Sequence, residues 1–308
     1  MRVIDIEDIT EAMKDQTAFV LRCEESYCDK VSTAAAKILH GKDSRPIVCL
    51  TGPSGSGKTT TAMRLKAYLE NLGVPVSLVS MDNFFLPLNK RPPEASDWES
   101  PLCVDRERLA DCILRLAAGG DVEAPVYDFV AGDVGGYRTL HGEKGGIVIA
   151  EGIHMLNPMI LDLLQESYTG VYVAPRTRII TKNDKIVDPE KLRVARRMIR
   201  DLIGRGHSLR STIERAQSVD RGELNYIQPN KVYATIHINT FHDYEPCILA
   251  KYLRDLPEFH EQLDDAFIAE HGLTDLMWVV NSVPPLTTPY VPKNSLVREF
   301  VGGSIFEY

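Results

Sequence analysis

Pro46-Ile47-Val48-Cys49-Leu50-Thr51-Gly52-Pro53-Ser54-Gly55-Ser56-Gly57-Lys58-Thr59-Thr60 places an apolar strand, a glycine-rich loop and the start of a helix in immediate succession. The spacing GxxxxGK[ST] matters because successive backbone N–H groups must turn inward on an anion, which glycine permits without steric cost. Gly52, Ser54, Gly55, Ser56 and Gly57 are therefore expected to cradle phosphate. Lys58 is expected to reach the β and γ phosphates and Thr59 to offer its hydroxyl to Mg²⁺. Thr60 and the first helical turn present further N–H groups to the anion. The implied ligands are ATP and Mg²⁺.

Outward from this loop, Ala62, Leu65, Leu69 and Leu72 form one helical stripe that ends at Gly73. Val76–Met81 reads as a second strand, Leu86–Pro101 as a long proline-rich loop, and Arg106–Ala118 as a helix stopped by Gly119-Gly120. Gly146–Ala150, Thr169–Val173 and Val232–Ile238 read as further strands, with a helix over Pro158–Glu166. Strands alternating with helices predict an α/β fold: a P-loop NTPase-type, doubly wound, mainly parallel sheet with helices on both faces. Residues 1–45 are expected to be a helical N-terminal extension and 46–250 the core, with a helical lid at about 188–222. Residues 251–308 are expected to form a C-terminal extension packed on the core, with a strand-like Leu276-Met-Trp-Val-Val280 and a proline-rich stretch.

The 308 residues are 44% hydrophobic and 25% charged, with no apolar run of the roughly 20 residues that a membrane helix needs. No membrane association and a cytoplasmic location are expected; the first ten residues carry Asp5, Glu7 and Asp8 in place of a basic leader. Six cysteines lack any CxxC pair, so buried thiols are expected. A net charge of −8 argues against a nucleic-acid partner. Yet residues 176–221 hold 13 Lys and Arg against 6 Asp and Glu, a local excess suited to an anion.

Ile147-Val-Ile-Ala-Glu151 ends a strand in an acid, where a group near Mg²⁺ is expected, making Thr59 and Glu151 the candidate metal residues. No guanine-reading NKxD is present. Ser80-Met-Asp82-Asn-Phe-Phe85, Trp98-Glu-Ser-Pro101, Pro125-Val-Tyr-Asp-Phe129, Glu151-Gly152 and Arg193-Val-Ala-Arg-Arg-Met-Ile-Arg-Asp201 with Arg205-Gly206 follow in order over about residues 46–250. In these motifs the chain resembles the uridine kinase and phosphoribulokinase family. The stretches Ser218–Pro229 and Ser295–Ser304 resemble a longer uridine-kinase-like subgroup.

The resemblance implies an ATP-dependent phosphotransferase acting on a hydroxyl of a small molecule, first of all a nucleoside such as uridine or cytidine. It makes Asp82, Lys58, Arg197 and Arg200 the catalytic candidates and adds Arg205 to the phosphate site. Asp82, Phe85, Glu99, Tyr127, Phe129, Arg138 and Arg197 become the acceptor site. The chain departs from the family at three points: Gly132 stands where a base-reading histidine is expected, Glu99 replaces an aspartate, and Phe85 replaces a tyrosine. These leave open a kinase for a sugar phosphate or pantothenate-like alcohol, and from another class an ATP-binding regulatory module. The expected partner is a small-molecule acceptor, and a homo-oligomer is left open.

Overall fold

A computed structural model describes residues 1–95, 97–181 and 185–307. Strand β1 (Arg2–Asp5) leads into helices α1 (Ile6–Ala12) and α2 (Gln16–Gly41). Asp15 caps α2 by accepting from the Ala18 N–H, and Tyr27, Val31, Ala34, Ala35 and Ile38 form its buried stripe. Strand β2 (Ile47–Thr51) is buried along its whole length and runs through the glycine loop into α3 (Lys58–Asn71). Strand β3 (Val76–Ser80) and α4 (Arg106–Ala117) precede an antiparallel hairpin of β4 (Val122–Asp128) and β5 (Asp133–Leu140). Strand β6 (Ile147–Glu151), helix α5 (Pro158–Leu164), strand β7 (Tyr168–Ala174) and the short β8 (Thr177–Ile180) and β9 (Ile186–Val187) follow. Two consecutive helices, α6 (Pro189–Arg205) and α7 (Leu209–Gly222), lead to β10 (Ile236–Asn239). Helices α8 (Glu245–Asp255), α9 (Pro257–Gln262), α10 (Asp265–Glu270), α11 (Thr274–Ser282) and α12 (Arg298–Val301) complete the chain.

The main sheet is parallel, in the order β10-β7-β2-β6-β3. Alternate residues of β2 feed opposite cores: Val48 and Leu50 pack with α2, α3, α6 and α8, while Ile47 and Cys49 pack with α4 and α5. Burial on both faces explains why the strand reads as an unbroken apolar run rather than an alternating one. Each such side chain, fully withdrawn from water, contributes about 1.5–3 kcal/mol. The strand order reverses at β2, with β6 on one side and β7 on the other, and a parallel sheet opens its ligand crevice at that point.

Three expectations need correction. Residues 1–45 do not begin as helix: Arg2–Asp5 pair in parallel with Thr177–Ile180, and helix starts only at Ile6. Leu276–Val280 is not a strand but the middle of α11; a short apolar run fits either period, and here Leu276, Val279, Val280 and Val283 are buried at helical spacing. The last sheet strand begins at Ile236, because Pro229–Tyr233 form a 3₁₀ turn with proline at its first position, where its missing N–H costs nothing.

Candidate active site

The carboxyl ends of β2, β3 and β6 open into a cleft of about 970 Å³. That volume is at the upper end of the roughly 300–1,000 Å³ of small-molecule sites, room for more than one compact ligand. It is lined by the loop from Ser54 to Thr59, by Asp82, Phe85, Glu99, Phe129, Arg138 and Glu151, and by Arg200 and Arg205 of α6. Candidates as far apart in sequence as Ser54 and Arg205 thus face one space.

The loop has the conformation the spacing requires. Gly57 sits at φ +86°, and a Cβ there would lie 2.6 Å from Leu296 Cδ1, so neither backbone nor space admits a larger residue. Lys58 donates to the Pro53 carbonyl at 3.3 Å, folding its ammonium back over the loop. Arg193 donates to the Ser54 carbonyl at 3.2 Å and Arg196 to the Gly55 carbonyl at 3.0 Å, so α6 braces the loop from outside the cleft.

Asp82 lies on the 3₁₀ turn Met81–Phe84 that ends β3. Hydrogen bonds from Asp105 N–H to the Phe84 carbonyl and from Leu86 N–H to the Cys103 carbonyl pin the segment that follows. The crowded cleft floor pushes the Asp82 carboxyl up, while Lys58, Arg205 and Arg200 pull it down; its surface remains open to water. Glu151 is buried at the end of β6 and accepts a hydrogen bond from Ser80 Oγ at 2.8 Å. Burial, then the Asp82 charge, push Glu151 up to about 7, against the pull of Lys58. The Glu151 carboxylate and the Thr59 hydroxyl, around one cleft, form an oxygen-only donor set. That set suits Mg²⁺, which keeps waters and binds substrate phosphates in place of a full protein cage. Among the described residues no group of three or more His, Cys, Asp or Glu is arranged to hold a metal.

The opposite wall is aromatic. Phe85, Tyr127 and Phe129 pack with ring centroids 5.0–5.9 Å apart, and Phe129 is 55% exposed toward the cleft. Trp98 also lines the cleft and carries the Arg91 guanidinium 3.9 Å above its ring. Burial pushes the Glu99 carboxyl up to about 7, with Lys58 opposing.

Four candidates stand outside the cleft lining. Gly52 is buried under β7, and a Cβ there would lie 2.0 Å from the Val173 carbonyl oxygen. Tyr127 supports the aromatic wall from behind, its hydroxyl accepting from Arg91 at 3.2 Å. Thr60 is covered by Glu299, to which its hydroxyl donates at 2.6 Å. Arg197 is buried against the loop, with Nη1 3.5 Å from the Ser54 carbonyl and Nη2 without a hydrogen-bond partner among the described residues. Burial and the neighbouring Arg193 lower its pKa to about 10.

Sequence reasoning missed Arg193 and Arg196, although with Arg197 and Arg200 they follow i, i+3, i+4, i+7 along one helix face, a readable signal. It also missed the C-terminal contribution: Arg298, Glu299, Gly302, Ser304 and Phe306 line the cleft, and although the first four fall in the Ser295–Ser304 stretch, the resemblance there implied no site role. No helix among the described residues is long and apolar enough to cross a membrane.

Residues 47–245 match the phosphoribulokinase / uridine kinase family. A uridine kinase of Geobacillus sp. (strain WCH70) is 32% identical over 202 residues, 63% of this chain and 86% of that protein. A uridine kinase of Macrococcus caseolyticus (strain JCSC5402) is 31% identical over 199 residues, 62% of this chain and 86% of that one. Among solved structures, a chain from Silicibacter sp. TM1040 provisionally assigned as a fructose transport system kinase aligns with a TM-score of 0.51 at 21% identity. That alignment covers 66% of this chain and 95% of the other, and it bears on the fold alone. With the nucleotide loop, the strand order and the matched span in agreement, this chain belongs to the phosphoribulokinase / uridine kinase family, kinases that phosphorylate small molecules.

Proposed function

We propose that the chain transfers the γ-phosphoryl group of ATP to a hydroxyl of a nucleoside. The observation that carries this reading is the pairing, in one cleft, of Asp82 beside Lys58 with an exposed aromatic wall at Phe129. A flat base would stack on that wall while its ribose hydroxyl meets Asp82. The acceptor oxygen bonds to the γ-phosphorus as the bond to the β-bridging oxygen breaks, and the hydroxyl proton passes to Asp82. A loose transition state makes little demand on early proton removal, so an aligned carboxylate suffices. Lys58, Arg200 and Arg205 face the charge that spreads over the transferring oxygens. Thr59 and Glu151 would hold Mg²⁺, which supplies positive charge opposite the β and γ phosphates. The test is ADP release from ATP and Mg²⁺ across a panel of nucleosides and other alcohols. Uridine or cytidine is expected to give the highest kcat/KM, and turnover with other alcohols alone would remove the nucleoside.

One observation favours a second acceptor class. Arg138, exposed on β5, lines the same wall, and Gly132 leaves no imidazole to read a base. An alcohol already carrying a phosphate would find its counter-charge there. The same panel, extended to sugar phosphates, separates the two.

A further inference from the structure

The first turn of α3 holds a donor that a bound nucleotide needs and that the protein itself now uses. Thr60 N–H lies 3.3 Å from Glu299 Oε2, and the Thr60 hydroxyl donates to the same oxygen at 2.6 Å. Early N–H groups of a helix lack intrahelical acceptors and sit at the positive end of its dipole, so they take an anion when one is offered. In a nucleotide loop that anion is phosphate.

Glu299 is held in this place by its neighbours on both sides. Leu296 and Phe300 are fully buried, Leu296 against Gly57 and Phe300 with the Arg196 guanidinium 4.8 Å from its ring centre. Arg298 donates to the carbonyls of Val291, Thr288 and Gly302 and fixes the turn that follows. Glu299 also lines the cleft that Lys58, Thr59 and Asp82 line.

We propose that Glu299 is a built-in phosphate mimic, seated on the Thr60 end of the nucleotide loop, which the phosphates of a nucleoside di- or triphosphate must displace in order to bind. The inference rests on the nucleotide-binding reading above and adds a regulatory contact to it. The anchored backbone stays in place; the side chain alone rotates away. The resting site is thereby selective, because a lone phosphate ion must compete with a tethered carboxylate, whereas a nucleotide brings further contacts of its own.

The test is ADP binding by calorimetry, with and without Mg²⁺, to the wild type, Glu299→Gln and Glu299→Ala, with folding checked by thermal unfolding. Both variants should bind ADP about tenfold more tightly in either condition, the scale of one charge-assisted contact no longer opposed. Unchanged affinity, or weaker affinity confined to Mg²⁺-containing buffer, would overturn the mimic, the latter assigning Glu299 to the metal. If neither wild type nor variants bound ADP, the nucleotide reading itself would fall, an outcome distinct from equal binding by all three.

Discussion

Arg196, completely buried, donates to the Gly55 carbonyl at 3.0 Å, so helix α6 fixes the peptide geometry of the glycine loop from behind. The same guanidinium forks onto both carboxylate oxygens of Glu245 at the start of α8 and reaches the Thr240 carbonyl at 3.1 Å. One side chain thus ties together α6, α8, the end of β10 and the loop. The charge is compensated within the core rather than offered to a ligand.

Removing one partner of such a pair strands the other charge in the interior. Arg196→Met is expected to lower unfolding free energy by about 3–5 kcal/mol, and Arg196→Met with Glu245→Leu to recover most of that loss. Arg196→Lys should recover little, since an ammonium cannot reproduce the fork. Chemical denaturation checks all three. A single-variant loss under about 1 kcal/mol would show that the pair does not hold the loop.

For Asp82, which faces the cleft, the expected loss is catalytic. Asp82→Asn keeps the shape but cannot accept a proton, so kcat should fall about 10²–10⁴-fold. ATP affinity should stay within about twofold, because the proposed role of that carboxylate lies with the acceptor hydroxyl and not with the donor phosphates. Near-normal turnover in this variant would remove Asp82 from the mechanism.

The elevated Glu151 gives a signed pH effect. Its carboxyl binds a proton up to about 7 in the folded protein, whereas the unfolded chain releases it at the ordinary carboxylate value. Between those two limits the native state holds more protons, so stability falls as pH rises through the window and levels off above about 7. Wild type should therefore lose several degrees of Tm relative to Glu151→Gln between pH 5 and about 7.5, and Mg²⁺ should reduce that loss by favouring the ionised form. Parallel Tm curves for the two proteins would contradict the assignment.

The strands, the glycine loop and the strand-end acids were legible because each is dictated locally. A doubly buried strand must be apolar, and a phosphate loop must contain glycine where Gly57 turns left-handed. The arginines were legible only as an excess of charge. Which of them faces the cleft depends on how α6 lies against the loop, and that docking sends Arg197 to the Ser54 carbonyl while Arg200 and Arg205 line the cleft. Glu299 lies 239 positions from Thr60, and no periodicity or motif links them. The β4–β5 hairpin escaped for another reason: β5 is largely exposed and lacks the alternation that marks a half-buried strand.

Gly222 offers the sharpest test of the acceptor wall. It ends α7 directly beside Glu99, and a Cβ at this position would lie 2.3 Å from Glu99 Cβ and 2.6 Å from Glu99 Cγ. Alanine is the better helix former by about 1 kcal/mol, so Gly222→Ala has a small intrinsic advantage that the collision opposes. Because the closest atom is Glu99 Cβ, which no side-chain rotation can move, backbone must shift: unfolding free energy should fall and Glu99 is pushed out of place. Displacement of that order at a substrate-positioning group commonly costs about 10–100-fold, here in kcat/KM for the acceptor with KM for ATP unaltered. A Glu99→Gly background removes the three nearest atoms that the added methyl would meet, so there Gly222→Ala should have no further effect on the acceptor. If the single variant left acceptor kinetics untouched, Glu99 would have no positioning role and the acceptor site would have to be sought along the aromatic wall alone.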